Sequence, residues 1–343
     1  MLFRIKPNPT LPEHCQRVTV ADGVDKLECG LHHAIVISNK GILYGMKLST
    51  EANRYGQQGQ GTSDGGQVAQ IKAAHTEEEL IRNATVAWLG KGFVPERKVI
   101  EVPESKPLDR VDFSLINNGD HVGRALPVDI ACGYNHSLLL LKDGSVCIWG
   151  NNTSLQLGLG PYESTRAVTT KPTLVSGLRN VVKIACTSET SFFVTKPDDG
   201  STITLAAGHG LFGTLGSGSA SQHLCGNPTP VMTISRAQYY NESKKSLLPR
   251  TPQIIACGEK HVICTLDTHD RYGIGDDLFV WGSNRAYQLG TGKHANCFEP
   301  VSPSPDVLMR ALGINGYAIE QGGRLQAKVG TRIACGGDTS AFY

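Results

Sequence analysis

Cys132 and His136 stand four residues apart in "IACGYNHSLLLLKDGSVCIWGNNTSLQLGLG" (130–160), and the same pair returns as Cys257 with His261 and as Cys29 with His33. Thiolate and imidazole are the preferred ligands of zinc. A thiol beside an imidazole is also the makings of an activated nucleophile. A third chemistry is suggested by the glycine-rich stretch "GHGLFGTLGSGSA" (208–220), since such loops can cradle phosphates.

Recurrence decides among these readings, because a reactive site is used once whereas a structural unit is stamped repeatedly along a chain. Residues 255–292 restore Cys257, Gly258, His261, Trp281, Gly282, Leu289, Gly290 and Gly292, with the Trp281-to-Leu289 step equal to that from Trp149 to Leu157. A copy at 184–218 keeps Cys186, Leu215, Gly216 and Gly218 but has Thr190 in the His slot and Ala207 in the Trp slot. Residues 27–61 carry Cys29, Gly30, His33 and Tyr44, then Gly56, Gly59 and Gly61. The stretch 333–343 supplies half a unit: Cys335, Gly336, Thr339 and Ser340.

A metal site would not shed its imidazole in two of five copies, and a dyad gains nothing from triplication. The histidines are therefore expected to be structural, bonding neighbouring backbone. No Lys-Ser or Lys-Thr follows the glycine-rich stretch at the spacing a phosphate loop requires. No catalytic residue, metal ligand or cofactor is expected.

The elements that must position these residues read as antiparallel strands. An apolar strand ends at Cys, a β-rich run such as Ser137 to Leu141 follows, and Asp143-Gly144 suits a tight hairpin with both central residues at positive φ. The return strand Ser145 to Trp149 meets a further turn at Gly150. Three or four strands per unit cannot bury both faces of their sheet alone, so the units must stack, and small antiparallel sheets stack radially as propeller blades. Trp149 and Trp281 are expected to cover the sheet face between blades.

The joint pattern "ACGxxHS", "DGxVxxWGxN" and "QLGxG" resembles the regulator of chromosome condensation repeat family. The resemblance implies an all-β fold, a β-propeller of seven blades, here with loop and short-helix insertions. It spans 1–343 as one domain, with recognisable repeats 27–61, 130–160, 184–218, 255–292 and 333–343, and insertions 62–127, 221–250 and 293–330. The interval from Cys29 to Cys132 is about twice that from Cys132 to Cys186, so it either holds a degenerate blade or is lengthened by insertion. "MLFRI" at the N-terminus is a candidate strand to pair with 333–343 and close the ring.

Composition agrees: 39 glycines and 17 prolines in 343 residues fit a turn-rich repeat protein. A net charge of +2 offers no clustered basic face, so direct nucleic-acid contact is not expected. No stretch reaches the roughly twenty apolar residues of a membrane helix, and the proline-rich start "MLFRIKPNPTLPEH" has no signal-peptide core. Five of the ten cysteines hold one repeat position, where a thiol packs as a small hydrophobe. An intracellular reducing compartment is expected, whether cytoplasm, nucleus, cilium or mitochondrial matrix.

Function is expected in what the repeats leave unexplained. Within 62–127, "HTEEELIRNATVAWLG" reads as a short helix with a Thr76–Glu79 capping box and Trp88 near one end. Within 221–250, Tyr239 and Tyr240 stand among Arg236, Lys244, Lys245 and Arg250, a composition favoured at protein interfaces. The family includes exchange factors for the small GTPase Ran that also bind chromatin, and scaffolds in ubiquitin ligases, organelle assembly and cilia. The resemblance thus implies a non-catalytic interaction or scaffold propeller whose partners are proteins of a larger complex. Guanine-nucleotide exchange on a small GTPase is the alternative.

Overall fold

The computed structural model describes residues 23–48, 52–61, 63, 109–110, 126–160, 167–220, 224–241, 243–267, 276–303, 326–327 and 332–342. Its first blade is β1 (Val24–Cys29), β2 (His33–Ser38), β3 (Leu43–Lys47) and β4 (Asp109–Arg110), paired in that order. The second is β5 (Pro127–Cys132), β6 (His136–Leu141), β7 (Val146–Asn151) and β8 (Val168–Leu174). The third is β9 (Val181–Cys186), β10 (Thr190–Thr195), β11 (Ile203–His209) and β12 (Leu224–Pro230). A helical turn α1 (Met232–Ser235) and a separate hairpin of β13 (Gln238–Asn241) and β14 (Ser246–Pro249) follow. The fourth blade is β15 (Pro252–Cys257), β16 (His261–Leu266), β17 (Asp276–Gly282) and β18 (Cys297–Val301), with β19 (Gln326–Ala327) also paired to β17. The hairpin of β20 (Ile333–Gly336) and β21 (Thr339–Phe342) packs against β15 as the start of a fifth blade.

The fold is thus all-β and propeller-like. Among the described residues it comprises four complete blades and one two-stranded blade, against the seven that the resemblance implies. The candidate closing strand at Met1–Ile5, the candidate helix with Thr76, Glu79 and Trp88, and most of 62–127 and 304–330 lie outside the described residues.

The second, third and fourth sheets are apolar on both faces because each is sandwiched between neighbours. Along β6, Leu138 and Leu140 join the core shared with the third blade, while Leu139 and Leu141 join that shared with the first. Along β10, Phe193 faces the second blade and Phe192 the fourth, where its ring meets Trp281 edge-on at 6.0 Å. This is the two-residue alternation of a strand, applied to two cores at once. It explains why the runs "HSLLLL" and "TSFFVT" are wholly buried.

Two local expectations change. In the β6–β7 connection only Gly144 has positive φ (+79°), and the amide of Gly144 donates to the Leu141 carbonyl (3.0 Å). Asp143 stays at negative φ and caps the turn by accepting from the Ser145 amide at 2.9 Å. This is the geometry of a type I turn followed by a left-handed glycine, in place of a turn with two left-handed residues. Outer strands also lie inside segments that sequence assigned to insertions: β4 within 62–127, β12 within 221–250 and β18 within 293–330.

Candidate functional site

The repeat signature occupies the junctions between blades. Its cysteines Cys29, Cys132, Cys186 and Cys257 end the inner strands β1, β5, β9 and β15, and Cys335 is the penultimate residue of β20. None of the nine described cysteines is in a disulfide. Burial pushes the thiols of Cys147 and Cys335 up to about 12 and those of Cys132, Cys186 and Cys257 well above the ordinary thiol value. Such thiols stay protonated and are poor nucleophiles.

Directly after each cysteine, a ladder of backbone bonds runs from blade to blade at one repeat position. The Leu31 amide donates to the Tyr134 carbonyl (3.3 Å), Tyr134 to Ser188 (3.0 Å), Ser188 to Glu259 (3.0 Å) and Glu259 to Gly337 (2.9 Å). Five blade positions are therefore contiguous.

The histidines bond to the next blade's serine and not, as expected from sequence, to backbone. His33 Nε2 meets Ser137 Oγ at 2.7 Å, His136 meets Ser191 at 3.1 Å and His261 meets Ser340 at 3.0 Å. Each serine in turn donates to a carbonyl of the histidine's own blade: Ser137 to Gln57 (3.1 Å), Ser191 to Gln156 (2.6 Å) and Ser340 to Gln288 (3.0 Å). A hydroxyl has one proton, so the serine can only accept from the imidazole. Each histidine is consequently the neutral Nε2–H tautomer, and its buried Nδ1 has no hydrogen-bond partner. Burial accordingly holds His33 and His136 down to about 3, and His261 to about 4.

The tryptophans complete the joint. Trp149 Nε1 donates to the same Gln57 carbonyl at 2.8 Å, and Trp281 Nε1 to the Thr214 carbonyl at 2.9 Å. Both rings are fully buried in inter-blade cores. The glycine after the cysteine makes room for the histidine: a Cβ on Gly133 would lie 2.1 Å from His136 Cε1, and one on Gly258 2.0 Å from His261 Cε1. Where the fifth blade has Thr339 in that slot, a Cβ on Gly336 would meet nothing within 4 Å among the described residues. The serine and glutamine of this joint went unnoticed in the sequence, although "HS" and "QLG" hold both.

The glycine-rich stretch 208–220 serves close packing too. A Cβ on Gly213 would fall 2.4 Å from the Cys297 carbonyl oxygen, and Gly216 abuts the Trp281 indole.

The interface candidates of 221–250 are brought together as a hairpin rather than a loop. Tyr240 and Leu247 are directly opposite each other across β13 and β14, exposed by 59% and 60%. Lys244 and Lys245 occupy the exposed connecting turn, while Tyr239 is half-buried on the other face and Arg236 follows α1. The hairpin is held at its base. Arg250 pairs with Asp277 of β17, whose side chain is only 1% exposed, and the Arg250 amide donates to the Ala237 carbonyl at 2.9 Å. Leu247 is the contributor that sequence reasoning missed, because only strand pairing places it beside Tyr240.

Comparison with known proteins agrees with this architecture. The model described as Regulator of chromosome condensation (RCC1) repeat matches residues 143–194 and 276–313, and a second of the same description matches 128–156. The chain is 29% identical over 215 residues to "Probable E3 ubiquitin-protein ligase HERC4" of Rattus norvegicus, covering 62% of this chain and 17% of that protein. It is 27% identical over 260 residues to "Protein FMP25, mitochondrial" of Saccharomyces cerevisiae, covering 71% of this chain and 40% of that one. The chain thus spans well under half the length of both relatives. The crystal structure of human WBSCR16 superposes with a TM-score of 0.58 at 18% identity, over 96% of this chain and 60% of that one, which supports the propeller fold.

Proposed function

Because this chain belongs to the regulator of chromosome condensation repeat family, we propose that it acts as a non-catalytic interaction or scaffold propeller within a larger protein assembly, formed as one domain over 1–343. The observation that carries this reading is the anchored hairpin with its exposed Tyr240–Leu247 pair. Tyrosine and leucine paired across two strands offer apolar area with little side-chain entropy to lose, and the part-buried Arg250–Asp277 pair anchors the base of the hairpin that carries it. Lys244 and Lys245 in the adjoining turn, and exposed Arg236 ahead of the hairpin, add cations and so favour a partner with an acidic rim. The blade junctions supply stiffness, with the histidines engaged in hydrogen bonds and the thiols protonated.

The accumulation of protonated, unpaired cysteines fits a reducing compartment. No described helix is long and apolar enough to cross a membrane.

The test is quantitative co-purification from native extract with the wild-type chain and a Tyr240→Ser/Leu247→Ser variant. A scaffold retains partners in fixed ratio, and the variant loses them at unchanged melting temperature. The same preparations are added to a small GTPase loaded with labelled nucleotide. Acceleration of release by substoichiometric protein would replace the scaffold reading with nucleotide exchange.

A further inference from the structure

The turn after the third strand of each blade repeats one backbone feature, a left-handed residue just before the Gln or Thr whose carbonyl accepts the inter-blade bond. In the first and third blades it is Gly56 (φ +69°) and Gly213 (φ +85°); in the second and fourth it is Leu155 (φ +60°) and Tyr287 (φ +59°). A side chain at such φ is disfavoured. Leu155 has a packing reason, since its side chain fills the space that a Cβ on Gly226 would reach, 3.4 Å from that position. Tyr287 is 60% exposed, and its ring contact is with His294, at 4.8 Å. Folding alone would be served as well by glycine, as two sister turns show.

What surrounds Tyr287 has the chemistry of a binding surface. The exposed Arg285 places its guanidinium 5.0 Å from the centroid of Phe212, which comes from the matching turn of the third blade. It has no carboxylate within ion-pair distance among the described residues. Lys260 holds its ammonium 5.2 Å from the same ring and pairs with Glu259 at 2.8 Å. Two cations sharing one ring repel each other, and an incoming carboxylate relieves that repulsion. Exposed Lys293 adds charge and exposed Leu211 adds apolar area.

The turn is braced by its own hydrogen bonds. His294 Nε2 donates to the Arg285 carbonyl at 2.5 Å, the Ala286 amide donates to Gln288 Oε1 at 2.8 Å, and the Leu289 amide to Asn284 Oδ1 at 2.9 Å. Binding there would require little further ordering of the turn.

We infer that Arg285, Tyr287, Phe212 and Lys260 form a docking surface for an acidic, aromatic-bearing segment of a partner protein. The surface deepens the interaction reading above and is separate in residues from the hairpin, so each can fail alone. A guanidinium with no carboxylate partner among the described residues, set beside aromatic and apolar groups, favours a carboxylate-rich peptide over a polyphosphate, which needs an extended basic track.

The probe is a short fluorescein-labelled peptide of Glu and Asp with one Tyr and one Leu, read by fluorescence anisotropy against its Gln/Asn counterpart. The acidic peptide is expected to bind at least about tenfold more tightly than the amide form. Arg285→Glu is expected to weaken binding at least about tenfold. Tyr287→Gly is expected to weaken it severalfold while leaving the melting temperature equal or higher, because the left-handed strain is relieved. The Tyr240→Ser/Leu247→Ser hairpin variant is expected to bind the peptide as wild type does. Equal binding of the two peptides, indifference to both turn substitutions, dependence on the hairpin instead, or tighter binding of a single-stranded oligonucleotide would each overturn the proposal.

Discussion

His33 of the first blade and Ser137 of the second meet at 2.7 Å, and the serine proton returns to the first blade at the Gln57 carbonyl. The same loop of bonds joins the second blade to the third and the fourth to the fifth. At the junction of the third and fourth blades both members are exchanged together: Thr190 stands for the histidine and Val262 for the serine. Thr190 turns back to bond the His209 carbonyl of its own blade at 2.7 Å, and Val262 joins the apolar core. A lone histidine or a lone serine would have left a buried polar group without a partner, so loss of both is the stable alternative.

That coupling is measurable. In a double-mutant cycle of His33→Thr and Ser137→Val, each single change should destabilise more than the rule of independent sites allows, with a coupling energy of about 1–2 kcal/mol by chemical denaturation. Additive effects would show that the two groups are neighbours without being joined.

Glycine should matter only where the histidine is present. Gly133→Ala places a Cβ 2.1 Å from the His136 ring and 2.7 Å from the Thr187 carbonyl oxygen, and should cost about 3 kcal/mol or more. Gly336→Ala, whose Cβ meets nothing within 4 Å among the described residues, should change stability by less than about 0.5 kcal/mol. Melting curves of the two variants make the comparison.

Acid should loosen the joints through the histidines. Folded His33 and His136 titrate near 3 and His261 near 4, all below the ordinary value of 6.5. As pH falls through about 6.5 the unfolded chain takes up protons that the folded chain refuses, so stability drops from about pH 7.5 towards pH 4 and is independent of these groups at higher pH. Each histidine contributes a loss of about 2 kcal/mol at about pH 5. His136→Gln should flatten the fall in denaturation midpoint between about pH 6.5 and 4.5 by close to one proton's worth.

Trp281 fills the core between the third and fourth blades and bonds the Thr214 carbonyl at 2.9 Å. Trp281→Ala should cost about 3–5 kcal/mol, with Trp281→Phe intermediate because the ring volume largely remains while the carbonyl loses its donor. Thermal or denaturant unfolding separates these outcomes.

Much of the blade was legible in the chain. Cys132, Gly133, His136, Trp149 and Gly144 recur at offsets tied to local geometry, and a turn or a strand period reports itself over a few residues. The outer strands β4, β12 and β18 were not legible. They are held by pairing to a strand already in place, so "LCGNPTP" and "CFEPV" need no signature of their own. Tyr239 and Tyr240 were marked by composition alone, whereas Leu247 became relevant only through its register with Tyr240.

From its own residues the chain determined a stacked, turn-rich β repeat and the recurrence of its thiols and imidazoles at one place in each unit, because repetition and periodicity are properties of order along a line. Tertiary structure decided which atoms meet: histidine to the next blade's serine, tryptophan to the previous blade's carbonyl, Arg250 to Asp277, two cations to Phe212. These contacts join residues from different blades or distant turns, and only the closing of one sheet upon another brings such groups within hydrogen-bond range.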